Sequence, residues 1–541
     1  MALGCAALGS SPCASLPGAS HSFAVGSKFC SRLCFSARPR GRLQRWENSS
    51  RRLLFARIRA LSSQSAGGSD DRSTTSEKFL NPYVWSDRKS PRICILGGGF
   101  GGLYTALRLD SLVWTPEKRP QILLVDQSER FVFKPMLYEL LSKEVDVWEV
   151  APLFADLLAS TTIRFLKDNV KSVSPFDAVA DDNKSSASSI GGKVYLESGI
   201  QVEYDWLVLA LGAETKMDMV PGALEHALPF STLEDALRLE KRLEELERER
   251  FGPKQLPIDV AVVGSGYCGI ELSATVAERL GERGRVQVID VNSEICPSAP
   301  TGNREKASEV LSSRNVKLEL GYFVTNIALK DSNEPEKKNK RVVLELKPAN
   351  SRNTRKAPPS TFLEADLVLW TVGGRALVPK AFPTNGRGQT DTDETLRVKG
   401  HPRIFAIGDS AGNKDSSGRL LQTTAQVALQ QADYAGWNLW AAINNRPLLP
   451  FRLESYCPTL LYQHLGEMMT LGRYNGAVTP SFFEDITLDG VLGHTARKLA
   501  YLYRLPTNEH RLKVGVSWLA KSAVDAFSYV QGTVLSLAQK S

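Results

Sequence analysis

Two stretches of the chain share one pattern of apolar and polar positions. In the first, an apolar run at residues 93–96 gives way to glycines and a helix-like segment, and the next apolar run ends at Asp126. In the second, the run at 258–263 leads through glycines to a helix predicted at 271–280, and the next run ends at Asp290. Short apolar runs bounded by glycine are typical of buried strands. Each stretch therefore predicts a strand, a glycine loop, a helix and a strand.

Three more apolar runs, at 204–213, 365–374 and 401–410, predict further buried strands. They end in turns that contain Gly212, Gly373, and the pair Gly408 and Asp409. An acid such as Asp409 at a strand end can bind a ribityl hydroxyl or a water on a pyrophosphate.

Helical periodicity predicts a charged surface helix at 231–250 and a more apolar helix at 423–442. Thr232 precedes Asp235 by three residues, which predicts a capping box at the start of the first helix. Gln426 and Gln430 are four residues apart in the second helix, so they share one face. Two interpretations stay open at this point: a pair of surface amides, or a face that binds a ligand.

The glycines of the two repeated units fit the pattern G-x-G-x-x-G. They are Gly97, Gly99 and Gly102 in the first unit and Gly264, Gly266 and Gly269 in the second. Such glycines allow a tight turn, close approach of the backbone to a pyrophosphate, and close packing of helix on strand. The following acid is placed to bind a ribose hydroxyl; the alternative is an acid that only caps a strand end. Because the pattern occurs twice, the sequence predicts an α/β fold with two Rossmann-type dinucleotide-binding domains.

The positive charge of the chain is concentrated at its N-terminus. The net charge is +8 over 541 residues, but residues 1–60 hold ten basic side chains and one acid, Glu47. The rest of the chain is close to neutral, so the charge does not indicate nucleic-acid binding. A start rich in Ser, Ala and Arg and poor in acids predicts an organelle transit peptide rather than a secretory signal. The Ser-rich start favours the plastid, a basic segment at 51–57 keeps the mitochondrion open, and a disordered cytosolic tail is the alternative.

Half of the eight cysteines lie in this N-terminal segment. The others, Cys94, Cys268, Cys296 and Cys457, show no C-x-x-C and no metal-ligand spacing. The sequence therefore predicts neither a zinc site nor a redox-active disulfide. It contains no run of 18 apolar residues, so no membrane-spanning helix is expected.

The C-terminal segment has an apolar stripe at helical spacing. It comprises Val514, Trp518, Ala523, Ala526, Phe527, Val530, Val534 and Leu537. Lys521, Asp525 and Ser528 are expected on the opposite face. The stripe favours an amphipathic helix that lies on a membrane surface; the alternative is packing against the core or a partner.

These motifs together resemble the type II, non-proton-pumping NAD(P)H:quinone oxidoreductases, over about residues 91–518. The match is carried by Gly269-Ile-Glu271, by the A-Q-x-A-x-Q block at 425–430, and by the segments 466–472 and 499–506. The last two segments and the transit peptide look most like the plastid C-type enzymes of plants and their cyanobacterial relatives. The A-Q-x-A-x-Q block is the most specific of these signals.

The resemblance implies roles for individual residues. FAD would be bound by Gly97, Gly99, Gly102, Asp126, Lys134, Pro135, Gly212, Gly408 and Asp409. NAD(P)H would be bound by Gly264, Gly266, Gly269 and Asp290, and Gly373 is a further expected cofactor-binding residue. Glu271 would face the nicotinamide, while Gln426 and Gln430 would line the quinone pocket; these three are the expected catalytic residues.

The implied domain order places one dinucleotide domain inside the other. It consists of a transit peptide and linker at 1–75, the first part of the FAD domain at 91–230, the NAD(P)H domain at 231–362, the second part of the FAD domain at 363–450, and a membrane-association and quinone-access region at 451–541.

The resemblance implies hydride transfer from NAD(P)H to FAD, then two-electron reduction of a membrane prenylquinone. The expected setting is a chloroplast membrane surface or lipid body, such as a thylakoid or plastoglobule, with the mitochondrion as a second location. Dimers occur in the family. Asp290 favours NADH because it would repel a 2′-phosphate, although Asn292 could soften that repulsion. The alternatives are a disulfide reductase or sulfide:quinone reductase, for which the cysteine pairs are missing, and a non-catalytic flavoprotein that senses redox state.

Overall fold

The computed structural model describes most of the chain from residue 81 onward. The described ranges are 81–87, 89–176, 191–250, 252, 256–330, 341–349, 360–414, 418–451, 466–480 and 486–538, with side chains described as far as 524. The predicted transit peptide and linker at 1–75 and Cys457 lie outside them, as does most of the loops at 330–340 and 349–360.

The described strands, in chain order, are β1 (Asn81–Pro82), β2 (Arg92–Leu96), β3 (Gln121–Asp126), β4 (Arg164–Lys167), β5 (Val170–Pro175), β6 (Gly192–Leu196), β7 (Ile200–Tyr204), β8 (Trp206–Leu209), β9 (Ala213–Thr215), β10 (Leu228–Pro229), β11 (Ile258–Val263), β12 (Gly284–Asp290), β13 (Lys317–Leu320), β14 (Tyr322–Leu329), β15 (Val342–Pro348), β16 (Thr361–Ala365), β17 (Leu367–Trp370), β18 (Gly374–Ala376), β19 (Ile404–Ala406), β20 (Glu467–Thr470) and β21 (Gly476–Thr479).

The described α-helices are α1 (Phe100–Ser111), α2 (Leu137–Leu141), α3 (Val147–Val150), α4 (Phe154–Leu157), α5 (Ala223–His226), α6 (Leu233–Glu249), α7 (Tyr267–Leu280), α8 (Thr301–Ser313), α9 (Ala425–Ile443), α10 (Gly490–Arg504) and α11 (Asn508–Ala538). Short 3-10 turns connect several of these elements, including one at Lys134–Met136.

Two parallel five-stranded sheets organise the chain. The first has the order β19-β8-β2-β3-β4, and the second has the order β10-β17-β11-β12-β13. All six residues of β11 are buried, as are residues 93–96 of β2, which explains why these strands read as continuous apolar runs. The predicted α/β fold and both repeated units, β2-α1-β3 and β11-α7-β12, are confirmed.

Smaller sheets complete the fold. A four-stranded sheet has the order β1-β7-β6-β5, and β14, β15 and β16 form an antiparallel meander. The pair β9 and β18 links the segments that follow β8 and β17, while β20 and β21 form an antiparallel hairpin. This hairpin packs against α7, α8 and α10. Through this hairpin, α10 is joined to the helices of the second sheet.

Helix starts follow the local chemistry of the sequence. The predicted capping box of α6 is present: the Asp235 amide donates to Thr232 Oγ1 at 3.1 Å, and the Thr232 amide donates to Asp235 Oδ2 at 3.0 Å. The start predicted for α7, residue 271, is wrong, because the helix begins at Tyr267. Gly266 is its N-cap in extended conformation, so the last glycine of the motif already lies inside the first turn.

The predicted orientation of the C-terminal stripe is partly wrong. Val514 is fully buried and Trp518 packs against the core, but Lys521 lies on the same side rather than opposite. Its Nζ contacts Glu149 Oε2 at 2.8 Å and Asp146 Oδ2 at 3.0 Å, so acids at α3 hold it inward. Within the part of the chain that the structure describes, no helix combines the length and the apolarity needed to cross a membrane.

Candidate active site

A cavity of about 1770 Å³ opens where β2, β8 and β19 end. Parallel strands that end side by side commonly form a binding crevice at that edge of the sheet. The cavity wall continues onto the first half of α9 and onto parts of α7, β20 and α10. Its volume exceeds the roughly 300–1,000 Å³ of a typical small-molecule pocket. It therefore suits a ligand of dinucleotide size together with a second molecule.

The first glycine loop forms one end of this cavity. Gly97 has a φ of +100°, and a Cβ there would lie 2.2 Å from the carbonyl oxygen of Ala210. A Cβ at Gly102 would lie 1.8 Å from the carbonyl oxygen of Gly97, so Gly102 holds α1 against the loop and does not itself line the cavity. Gly99 lines the cavity, is the N-cap of α1, and faces open space. The first turn of α1 has neither a side-chain cap nor an acid, so it suits a phosphate group.

Asp126, the acid predicted to bind a ribose hydroxyl, lies at the cavity wall. Its Oδ2 accepts from the Gly98 amide at 2.6 Å, and its Oδ1 accepts from the Ser128 amide at 2.7 Å. Burial raises the pKa of Asp126 and also that of Asp409, while the positive charge of Lys134 opposes both shifts. Two carboxyl groups, those of Asp126 and Asp409, therefore line the cavity.

Other predicted residues meet in the same cavity. Lys134, Pro135, Gly212, Gly408 and Asp409 all line it. The Gly408 amide donates to Gln431 Oε1 at 2.7 Å, which ties the turn after β19 to α9. The wall is therefore built from three strand ends and one helix that are distant in sequence.

The second glycine loop repeats the geometry of the first but lies outside the cavity lining. The Ser265 amide donates to Asp290 Oδ2 at 2.5 Å, and a Cβ at Gly269 would lie 1.9 Å from the carbonyl oxygen of Gly264. Asp290 is nearly buried, and its Oδ1 accepts from the amide and the side chain of Asn292, both at 2.8 Å. The predicted residues Gly264, Gly266, Gly269, Asp290 and Gly373 do not line the large cavity.

Helix α7 connects the second loop to the cavity. Tyr267, Cys268 and Glu271 on this helix all line it. Glu271 is 7% exposed, and its Oε1 accepts from the Thr470 amide at 2.8 Å. Burial raises the pKa of Glu271 to about 7, although the Thr470 hydrogen bond acts in the opposite direction. A carboxyl group that titrates near neutral pH is suited to proton transfer.

Gln426 and Gln430 both line the cavity, and Gln430 is almost fully buried. Their helix starts one residue after Thr424, whose Oγ1 accepts from the Val427 amide at 3.2 Å. The prediction that the two amides share a face is confirmed, and that face forms part of the wall. Two amide groups in a cavity can donate to and accept from a bound polar group.

Several side chains at the wall were not among the predicted site residues. They are Tyr138, Tyr267, Glu467, Met468, Tyr501 and Arg504. The Tyr267 hydroxyl donates to Glu467 Oε2, which closes the wall between α7 and β20. Glu467 and Tyr501 belong to the segments 466–472 and 499–506 that carry the family resemblance. The three-residue spacing of Tyr501 and Arg504 on α10 is the signal that would have indicated a shared face.

The cysteines do not supply a redox pair among the described residues. Cys94 and Cys296 are buried and do not line the cavity, whereas Cys268 lies at its wall. Burial raises the pKa of Cys268 to about 11, so its thiol is not a reactive thiolate. No group of His, Cys, Asp and Glu side chains in the described ranges is arranged to hold a metal ion.

Known proteins resemble this chain along most of its length. A family model described as pyridine nucleotide-disulphide oxidoreductase matches residues 91–432. The alternative NAD(P)H-ubiquinone oxidoreductase C1, chloroplastic/mitochondrial, of Arabidopsis thaliana is 58% identical over 459 residues, which cover 84% of this chain and 85% of that protein. The demethylphylloquinone reductase NdbB of Synechocystis is 40% identical over 441 residues, which cover 80% of this chain and 97% of that protein.

A solved structure gives the same fold. NDH2 from Plasmodium falciparum, in complex with NADH, superimposes with a TM-score of 0.60 at 17% identity. The match covers 80% of this chain and 98% of that one. At this identity the likeness concerns the fold alone.

Proposed function

The chain belongs to the pyridine nucleotide-disulphide oxidoreductase family and to its type II NAD(P)H:quinone oxidoreductases, and on that premise we propose that it reduces a membrane prenylquinone with NAD(P)H through FAD, without pumping protons. The observation that carries the proposal is the large cavity at the ends of β2, β8 and β19. It is bounded by the first glycine loop, by Glu271 and by the Gln426 and Gln430 face. The proposed cofactor site, the proposed proton-transfer group and the polar wall proposed for the substrate therefore border one cavity.

The residues around the first glycine loop fit FAD. The uncapped first turn of α1 would hold the pyrophosphate, Asp126 a ribose hydroxyl, and Asp409 a ribityl hydroxyl. Lys134 and Pro135 would contact the isoalloxazine side. FAD, when bound, supplies hydride acceptance and electron transfer; the chain supplies orientation and charge.

The residues around the second glycine loop fit NAD(P)H. Gly264, Gly266 and Gly269 would hold its pyrophosphate, and Gly373 lies in the turn after the neighbouring strand β17. Asp290 would bind the adenosine ribose, and its negative charge disfavours a 2′-phosphate. The Ser265 amide of the glycine loop and two donors of Asn292 hold the Asp290 side chain in place, so we expect NADH to be preferred to NADPH.

The quinone would lie against α9. Gln426 and Gln430 would hydrogen-bond its carbonyl oxygens, and Glu271 would take up or release a proton during reduction. With a pKa of about 7, Glu271 is present in both protonation states at neutral pH. The adjoining tyrosines, Tyr138 and Tyr501, would form an apolar and water-excluding part of the wall.

A lipid-soluble quinone would reach the cavity most directly from a membrane surface on which the protein lies. Apolar side chains that face solvent are concentrated on α10 and α11: Val491, Leu492, Leu499, Tyr503, Leu512, Val516, Leu519 and Val524. Such apolar side chains on α10, which lines the cavity, and on the adjoining α11 suit a protein that lies on a membrane. We therefore propose that residues 451–541 form the membrane-association and quinone-access region.

We also propose that the NAD(P)H domain is inserted in the FAD domain, because strands β8 and β19 of the first sheet lie on either side of the second sheet's strands in the chain.

We propose an organelle as the location, with the chloroplast first and the mitochondrion second. The basic, acid-poor N-terminus supports import, and the 58% identical relative is named chloroplastic/mitochondrial. A plastoglobule or thylakoid surface would provide plastoquinone or a naphthoquinone. The name of the Synechocystis relative, demethylphylloquinone reductase, indicates a substrate of the naphthoquinone kind. A homodimer is the proposed assembly.

Two alternative functions make different predictions. A sulfide:quinone reductase needs two cysteines at the flavin, and Cys268 alone among the described cysteines lines the cavity. A redox-sensing flavoprotein would bind FAD without steady-state turnover. An assay that finds no sulfide-dependent quinone reduction would exclude the first, and steady-state turnover with NAD(P)H would exclude the second.

The deciding experiment is anaerobic stopped-flow spectroscopy on the FAD-loaded protein. Mixing with NADH or NADPH measures flavin reduction, and subsequent mixing with plastoquinone, phylloquinone-type and ubiquinone analogues measures reoxidation. We expect rapid reduction, faster with NADH, and reoxidation by at least one prenylquinone. Flavin that is reduced but not reoxidised by any quinone would contradict the proposal, and a preference for NADPH would contradict the role given to Asp290.

A further inference from the structure

A cluster of buried charges lies between α2 and α10, behind the cavity wall. Arg497 is fully buried, and its Nη1 donates to Glu139 Oε1 at 2.6 Å. Lys498 donates to the other carboxylate oxygen of Glu139, which is also fully buried. We call these three residues, Glu139, Arg497 and Lys498, the Arg497 cluster. None of them lines the cavity.

The Arg497 cluster has one more positive charge than negative. Although burial raises the pKa of Glu139, the charges of Arg497 and Lys498 outweigh that effect and lower it, so Glu139 is ionised. His494 Nδ1 lies 3.3 Å from Arg497 Nη2, and burial lowers the pKa of His494 to about 4, so this ring is neutral near pH 7. Burial raises the pKa of neighbouring Glu144 to about 7, so it cancels the excess only in part.

Stability alone is a weak reason for such a cluster. Apolar side chains of similar volume often stabilise a core as well as a buried ion pair does, because charges lose hydration on burial. The Nε of Arg497 has no hydrogen-bond partner among the described residues, which adds to that cost. The arrangement therefore calls for an effect that an apolar replacement could not supply.

Contacts of the cluster lead directly to the wall of the cavity. The Arg497 guanidinium lies over the ring of Tyr501, 5.2 Å from its centre, and Glu139 follows Tyr138 in α2. Both tyrosines line the cavity together with Glu271. The charges of Arg497 and Glu139 also act on Glu271 in opposite directions: Arg497 lowers its pKa and Glu139 raises it.

We propose that Arg497 is a positioning residue for the quinone reductase reaction: held by Glu139, it stabilises the ionised form of Glu271 and fixes the Tyr501 wall of the cavity. The role in turnover rests on the proposed function. The electrostatic effect on Glu271 does not, because it exists without substrates.

Other titratable groups face Glu271 from the elements around it. They are Tyr138 and Glu139 of α2, Cys268 of α7, Cys296 after β12, Glu467 of β20, and Arg497 and Tyr501 of α10. Burial raises the pKa values of both thiols and both phenols, which keeps them protonated, and it also raises the pKa of Glu467. Arg497 and Glu139 are therefore the ionised pair of this set, and Glu467 is the remaining carboxyl group.

The test is an infrared titration of the FAD-loaded protein in the absence of NAD(P)H and quinone. The band of protonated Glu271 is identified by its loss in Glu271→Gln. Arg497→Met should move the midpoint of that band upward by on the order of one pH unit, the scale of a unit charge within roughly 10 Å at an effective dielectric constant of about 20. Glu139→Gln should move it downward, and Arg497→Lys should leave it near the native value.

The pH profile of quinone turnover provides the second measurement. It should shift with the infrared midpoint in each variant, and the shift caused by Arg497→Met should vanish in the Glu271→Gln background. Lys513→Met removes one exposed positive charge from α11 and should move neither quantity. Comparing Arg497→Met with the double variant and with Lys513→Met separates an effect on Glu271 from a general loss of positive charge.

Several outcomes would overturn the proposal. One is an unchanged midpoint in Arg497→Met, and another is a shift of the same sign in Arg497→Met and Glu139→Gln. If Arg497→Met does not retain FAD, the decision rests on Glu139→Gln and Arg497→Lys. The proposal is then refuted if Glu139→Gln does not lower the infrared midpoint of Glu271. A protein without quinone turnover still gives the infrared result, so failure of the proposed function is recognised separately.

Discussion

Replacing Glu271 with Gln should stabilise the protein in a pH-dependent way. Burial raises the pKa of this carboxyl group from 4.5 to about 7. In the unfolded chain the group ionises near its ordinary value, so between pH 4.5 and 7 the native state binds more protons than the unfolded state. Native stability therefore falls as pH rises through this window, and the loss is complete above pH 7.

The magnitude follows from the size of the shift. A difference of about 2.5 units corresponds to roughly 3 kcal/mol, since one pKa unit equals about 1.4 kcal/mol. A glutamine at 271 keeps an oxygen that can accept from the Thr470 amide, but it has no charge to bury. The variant should thus exceed the native protein by up to about 3 kcal/mol at pH 8, and the difference should approach zero near pH 4.5.

Urea denaturation at a series of pH values measures this difference directly. Glu282→Gln, at an exposed position just after α7, is the matched control and should show no such trend. A Glu271→Gln variant that is less stable than the native protein at pH 8 would refute the reasoning. So would a stability difference that is the same at pH 5 and pH 8, since it could not arise from the burial of a charge.

Three other predictions concern separate parts of the structure. Gln426→Leu with Gln430→Leu should lower quinone-dependent reoxidation by at least about tenfold while flavin reduction by NADH stays near normal, because only the acceptor's hydrogen bonds are removed; stopped-flow rates that fall equally in both steps would contradict this. Gly102→Ala would place a Cβ 1.8 Å from the Gly97 carbonyl oxygen. Thermal denaturation should therefore show a loss of several kcal/mol in the free energy of unfolding, and flavin absorbance should show a loss of bound FAD. Native stability and native FAD content would contradict this. Leu512→Ser with Leu519→Ser changes two side chains that are 70% and 74% exposed, so melting should be unaffected while co-sedimentation with anionic vesicles drops by about tenfold or more; undiminished co-sedimentation would argue against the membrane face.

Local pattern predicted the elements that depend on local forces. The buried strands β2 and β11, the glycine loops and the capping box at Thr232 were all predicted correctly, because each depends on neighbours within a few residues. The start of α7 was misplaced by four residues, since a glycine-rich start has no cap signal of its own. The Gln426 and Gln430 face could be predicted from spacing, but its direction toward the cavity required the fold.

Contacts between distant segments could not be predicted in the same way. Arg497 and Glu139 are 358 positions apart, and nothing near either residue indicates that they form a buried pair. Lys521 was expected on the solvent side because charged residues usually lie opposite an apolar stripe. In the fold, Glu149 and Asp146 lie beneath α11, and they reverse that expectation.

The two glycine loops show why the fold must be known before their ligands can be assigned. Locally they are alike: each donates an amide to the acid at the end of the next strand, at 2.6 Å for Asp126 and 2.5 Å for Asp290. They differ in what lies beside them. The first loop shares an edge with the turns after β8 and β19 and opens into the large cavity, whereas the second reaches that cavity through the side chains of α7. A flavin needs access to both a hydride donor and a quinone, and the first loop borders such a space. This asymmetry supports the proposal of FAD at the first loop and NAD(P)H at the second, with Glu271 as the proposed residue through which the two sites meet.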